Sequence, residues 1–199
     1  MARTDPVAGR RERKKAATRQ ALADAALRLF LKHGYAGVTV TQIADEADVS
    51  IATLFKHVPD GKQALIFDDG GERREAILAA LRERPADQSA LQALYAYLAG
   101  RGPFAHDFAP DLRRLLDLIM RTPELYHYQR LLWLRAEIPL AMALAEESGR
   151  AEPTIADRAL ARYVLEAPAL AGEASDPRGA LQEIFDHLET GWTIPARTA

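Results

Sequence analysis

The residues best suited to chemistry fall in one short run, VTVTQIADEADVSIATLFKH (residues 38–57), with Lys62 just beyond it. The run supplies hydroxyls, an amide and cations: Thr39, Thr41, Gln42, Ser50, Thr53, Lys56 and His57, interleaved with Ile51 and Ala52. This set suits a phosphodiester polyanion. Lys56, His57 and Lys62 would bind phosphate, as would Thr39 and the backbone amides at helix starts. Thr53 and Ala52 suit the thymine methyl, and Thr53 and Ser50 can reach base edges or phosphate. Ile51 faces outward beside them. Thr41 and Gln42 are further base-contact candidates, and Gln42 matches adenine. No Arg, Asn or Gln lies on residues 51–57, so two-pronged base reading is weak there.

Two short helices must hold these side chains. Thr39-Val40-Thr41-Gln42 has the form of a capping box, starting a helix that runs to about Ala47. Ser50 can cap a second helix ending at His57. The turn between them needs a residue with positive φ, and Asp48, one of the few non-glycine types that tolerate it, stands there. Ala44 fits where the two helices cross. Ile43, Val49 and Leu54 are spaced to close a small core. Helices this short are marginal alone, so a third must support them. Arg10 to His33 supplies it, with Ala17, Ala21, Ala25, Leu29 and Leu22, Ala26, Phe30 at helical spacing and Gly34 as the stop. This is helix-turn-helix spacing, which presents the second short helix to a DNA major groove. The basic run Arg10-Arg11-Glu12-Arg13-Lys14-Lys15 either follows the DNA backbone or minor groove or forms a solvated helix start.

From Thr18 to Leu65 the chain resembles the TetR family of bacterial transcriptional regulators. The resemblance is carried by Ala25, Leu29, Phe30, Gly34, Tyr35, Thr39, Ile43-Ala44, Val49-Ser50, Thr53-Leu54-Phe55, His57, Pro59, Lys62 and Leu65. Asp48 and Ala52 stand where the family usually has Gly, Phe55 where Tyr is common, and one extra residue precedes Lys62. The resemblance implies a homodimer on a palindromic operator, released by a small, largely apolar effector. A regulator without a ligand, or an activator, is the alternative.

Charge supports a basic head on an acidic body. Residues 1–65 hold 11 Lys and Arg against 7 Asp and Glu, whereas residues 66–199 hold 15 against 21. All five lysines lie in the first part. The chain has no cysteine, which excludes disulfides and thiolate metal sites. The start lacks a signal-peptide core, and no apolar run approaches the roughly 20 residues of a membrane span. A cytoplasmic protein with no membrane partner is expected.

The fold class expected is all-α with about nine helices: a tail at 1–9, a helix-turn-helix DNA-binding domain at 10–60, and a helical ligand-binding and dimerisation domain at 61–199. In the body, one helix is predicted from Lys62 to Arg84 with a local distortion at Gly70-Gly71. Others cover Asp87–Gly100 and Asp111–Met120. A long helix runs from Pro123 to Ser148, kinked at Pro139. The last two run from a Thr154 cap to Ala171, disturbed at Pro168, and from Pro177 to Glu189. Aromatic residues, Phe108 among them, gather in the body. A ligand pocket lined by Tyr95, Leu98, Phe104, Leu116, Met120, Tyr126, Gln129, Trp133 and Met142 is expected. The dimer interface is expected on the last two helices, at Leu160, Tyr163, Val164, Leu181, Ile184, Phe185 and Leu188.

Other chemistry is not supported. His106-Asp107 and His127 are too few and scattered for a metal site, and no cofactor is expected. No Gly-x-Ser-x-Gly, His-Glu-x-x-His or phosphate-binding loop occurs, so an enzyme is not expected. Asp68-Asp69 and Glu146-Glu147 read as solvated charges.

Overall fold

The computed structural model describes residues 6–67, 70–105 and 110–191. It contains α1 (Pro6–His33), α2 (Val40–Glu46), α3 (Ile51–His57), a 3₁₀ turn (Lys62–Leu65), α4 (Gly71–Arg82), α5 (Ala90–Ala99), a second 3₁₀ turn (Gly102–Phe104), α6 (Pro110–Arg121), α7 (Pro123–Leu134), α8 (Glu137–Glu147), α9 (Ile155–Gly172) and α10 (Pro177–Thr190). The described residues contain no strand, so the chain is all-α. Of the tail expected at 1–9, residues 6–9 are helical and 1–5 lie outside the described residues. So do Asp68-Asp69, His106-Asp107 and Phe108.

Two compact units emerge. One comprises the chain up to residue 69 with 114–128; the other comprises 70–113 and the chain from 129 onward. The N-terminal unit is therefore larger than the 10–60 segment. Its core joins Leu22, Ala25, Ala26 and Phe30 of α1 to Ile43, Ala44, Leu54, Val58 and Leu65, all buried. Ala17 and Ala21, expected on the buried face of α1, are exposed.

The C-terminal unit buries Ile77, Leu81, Leu94, Leu98, Leu140, Val164, Leu165, Leu181 and Phe185 in one core drawn from α4, α5, α8, α9 and α10. Three helix boundaries differ from the sequence expectation. The helix predicted over Lys62–Arg84 is interrupted: the 3₁₀ turn ends at Leu65 and α4 starts only at Gly71. Gly70 has φ +78°, a left-handed value that a continuous right-handed helix cannot contain. The long helix over 123–148 is two helices, with the break at Arg135-Ala136. Pro139 explains the position. Its ring would clash with the carbonyl four residues earlier, at Arg135, but is tolerated in the first turn of α8. Pro168, in contrast, lies inside α9 without ending it. Ser89 and Gln92 form a capping box that starts α5 later than Asp87.

Arginine–carboxylate pairs join α8, and the segment that follows it, to their neighbours. Glu137, 7 % exposed, accepts from Arg158 (3.1 Å) and from Arg162 through Nε (2.9 Å) and Nη2 (2.6 Å). Arg84 pairs with Glu147, and Arg150 with Asp157 at 2.6 Å. Hydrogen bonds from Arg162 and then Arg158 hold the Glu137 carboxyl below its ordinary pKa. Arg84 does the same for Glu147. The Thr154 hydroxyl and amide, followed by Arg150, lower that of Asp157. Carboxyls with depressed folded-state pKa values stabilise the fold above the unfolded pKa, and that stability is lost as pH falls through the folded values. Stability should therefore fall as pH drops below about 4.5, the unfolded glutamate value. Glu137→Gln should flatten that acid limb in chemical unfolding at stepped pH; an unchanged limb would remove Glu137 from it.

Candidate nucleic-acid interface

The local geometry of residues 38–57 follows from their caps. The Thr39 hydroxyl accepts from the Gln42 amide, and Gln42 Oε1 accepts from the Thr39 backbone N–H at 2.8 Å. Ser50 accepts from the Thr53 amide at 3.1 Å, and their hydroxyls lie 2.9 Å apart. Asp48 adopts φ +52°, the positive value the turn requires. The Val49 amide then donates to the Ala44 carbonyl at 3.0 Å, closing the turn over the buried Ala44.

With Leu54 turned into the core, α3 presents an outer face. Ser50, Ala52 and Lys56 are exposed, as are Ile51 and Phe55, at 42 % and 50 %. Thr39, Thr41 and Gln42 are exposed at the start of α2, while Thr53 and His57 are half-buried. Ile51 and Phe55 give this helix of seven residues an apolar component on its outer face. Phe55 was not among the expected contact residues; its exposure on the outer face of α3 puts it beside them.

The structure redirects two of the expected contacts. Lys62, expected on phosphate, turns inward and donates to the carbonyls of Tyr35 and Val38, both at 2.7 Å. Its ammonium lies 4.1 Å from the centre of the Tyr35 ring, and burial lowers its pKa. Lys62 therefore fixes the segment between α1 and α2. Gln42 uses its carbonyl oxygen in the cap, which leaves it unable to make the two-pronged adenine contact without releasing Thr39. The His57 pKa is lowered, first by burial and then by Lys15, Lys56 and Arg19. Burial and these cations thus disfavour its charged form, and the imidazole can donate an N–H in either form. The basic run 10–15 is the opening of α1, with Arg11, Arg13, Lys14 and Lys15 exposed.

Arg19 went unrecognised in the sequence. Its guanidinium donates to the carbonyls of His57 (3.1 Å), Ala64 (3.2 Å) and Phe67 (3.0 Å). It thus ties α1 to the C-terminus of α3 and to the following 3₁₀ turn, where carbonyls lack helical partners. Nearby, Tyr128 packs on Phe67 with ring centres 5.8 Å apart, and its hydroxyl donates to Asp60 at 3.3 Å.

Of the expected pocket residues, Leu116, Met120 and Tyr126 lie in the N-terminal unit and the other six in the C-terminal unit. Leu98 and Phe104 are buried core. Tyr95 packs on Phe185, and Trp133 faces Arg73. Gln129 is half-buried, and Met120 and Met142 are exposed. None of the nine lines the cleft of about 440 Å³ in the N-terminal unit, whose walls include Arg19, Leu27, Leu65, Phe67 and Leu115. Among the described residues no group of three or more His, Asp or Glu could hold a metal ion, and no helix is long and apolar enough to cross a membrane.

The expected dimer residues also divide. Val164, Leu181 and Phe185 are buried in the chain's own core, with Phe185 only 3 % exposed. They are not available to a second subunit. Leu160, Ile184 and Leu188 are half-buried, and Tyr163 is exposed. Ile155 and Leu170 are exposed on α9 as well.

A capped two-helix reader held by a third helix is the architecture of a helix-turn-helix DNA-binding protein. Residues 22–68 match the family described as bacterial regulatory proteins, tetR family. The chain is 42 % identical over 86 residues to the HTH-type transcriptional regulator TcmR of Streptomyces glaucescens; the match covers 43 % of this chain and 38 % of TcmR. It is 26 % identical over 137 residues to MftR of Mycobacterium tuberculosis, covering 69 % of each. In fold it is similar to GusR of Salmonella enterica, with a TM-score of 0.54 and 21 % identity over 87 % of this chain and 92 % of that one. Residues 22–68 thus carry a helix-turn-helix segment of the tetR-family type.

Proposed function

We propose that this chain is a repressor that binds a palindromic operator as a homodimer in the bacterial cytoplasm and is released by a small, largely apolar effector. The observation that carries the DNA reading is the outer face of α3, where Ile51, Phe55 and Lys56 stand exposed around a buried Leu54. Apolar groups and hydroxyls suit base edges and thymine methyls, and Lys56 suits phosphate. Two-fold protein symmetry would match two-fold DNA symmetry. Exposed Ile155, Tyr163 and Leu170 along α9 support that helix as the subunit contact.

Selection of bound sequences from a random duplex pool, followed by affinity measurements at several salt concentrations, tests this reading. An enriched palindrome with strong salt dependence is expected. Lys56→Ala should weaken all sequences alike and reduce the salt slope by about 1. Thr53→Ala should change which sequences are preferred. Equal weakening of every sequence by both variants would reject base reading by Thr53.

A further inference from the structure

We propose that the effector is an aromatic acid and that Arg73, in the C-terminal unit, recognises its acidic group; this rests on the effector reading above. Arg73 lies in the first turn of α4. Its Nη1 is buried and has no hydrogen-bond partner, the one such buried side-chain atom among the described residues. Buried guanidinium donors without an acceptor are rare, because desolvation is then uncompensated. What the guanidinium meets among the described residues is a π face. The guanidinium carbon lies 5.0 Å from the Trp133 ring centre. The Tyr97 hydroxyl donates to the Arg73 carbonyl at 3.3 Å, and Arg101 lies 4.8 Å from the Tyr97 ring centre. The neighbouring Glu75 pairs with Arg74.

Two guanidinium groups against two aromatic rings, with one buried donor unsatisfied, suit a planar ligand that brings its own anion. A carboxylate oxygen at Nη1 would accept the missing hydrogen bond with charge assistance. The same anion would benefit from the positive end of α4, whose first turn contains Arg73. The ligand's aromatic body would lie against Trp133 and Tyr97. Other arginines of this unit already have acceptors: Arg158 and Arg162 hold Glu137, Arg84 holds Glu147, and Arg178 donates to the carbonyls of Ala99 and Phe104. Arg73 differs from them in keeping a buried donor open.

The test uses the full chain with 1-naphthoate and its uncharged counterpart 1-naphthamide, read by thermal shift and by release of fluorescent operator duplex. Naphthoate should bind at least about tenfold more tightly than naphthamide, the ratio one charge-assisted hydrogen bond confers. In Arg73→Gln, naphthoate should fall to the affinity of the amide. The ligand-free melting temperature of that variant should change little, because the buried donor has no hydrogen-bond partner to lose and only the Trp133 contact goes. A purely structural arginine would instead lower it. Equal binding of the two probes, or an unaltered naphthoate affinity in Arg73→Gln, would overturn the role of Arg73 while leaving an effector in place. If neither probe binds, the aromatic-acid proposal fails. If neutral apolar compounds also leave the operator bound, the effector reading fails with it.

Discussion

Arg19→Met should destabilise the N-terminal unit by about 2–4 kcal/mol, since three hydrogen bonds to a charged group are removed at once. Three carbonyls, those of His57, Ala64 and Phe67, lose their donor together. Because one of them ends α3, the reading helix loses its tie to α1. Operator affinity should fall by roughly tenfold or more, the equivalent of about 1.4 kcal/mol of misplacement. Arg19→Lys should rescue little, because an ammonium cannot reproduce the planar fork that spans three acceptors. The salt slope separates this role from direct phosphate binding. A phosphate contact contributes to the slope and a positioning contact does not. Operator titrations across a salt series should therefore give Arg19→Met a wild-type slope at a weaker affinity. A slope reduced by about 1 would make Arg19 a phosphate ligand.

Phe185→Ala is expected to cost about 3–5 kcal/mol, the range for truncating a fully packed phenylalanine. Phe185 is 3 % exposed and packs against Tyr95 with ring centres 5.6 Å apart. The same core includes Leu94, Leu98, Leu181 and Val164. Urea unfolding should show a large fall in midpoint, whatever the oligomeric state. Tyr163→Arg makes the contrast. Tyr163 is 56 % exposed on α9, so the charge enters no core. The variant should unfold like wild type and sediment as a monomer if α9 is the subunit contact. A stable, monomeric Phe185→Ala would return the interface to α10, and a dimeric Tyr163→Arg would remove Tyr163 from it.

These two predictions fall on residues whose roles the sequence did not disclose, and the reason is the range of the interactions. What the sequence determined by itself is short-range. The Thr39–Gln42 capping box, the Ser50 cap, the Thr154 cap of α9 and the positive φ of Asp48 all involve a residue and neighbours within four positions. Backbone sterics and local hydrogen bonds fix these before any tertiary contact forms. The all-α class and the outer face of α3 follow from them and from helical periodicity. The tertiary structure decided the rest. Arg19 reaches carbonyls 38 to 48 residues away, and Lys62 reaches back 24 and 27 residues to turn away from solvent. Phe185 has the same apolar character whether it meets Tyr95 of its own chain or a second subunit. A side chain's type states what it can bond or bury; only the arrangement of distant segments decides which acceptor or apolar neighbour lies within its reach.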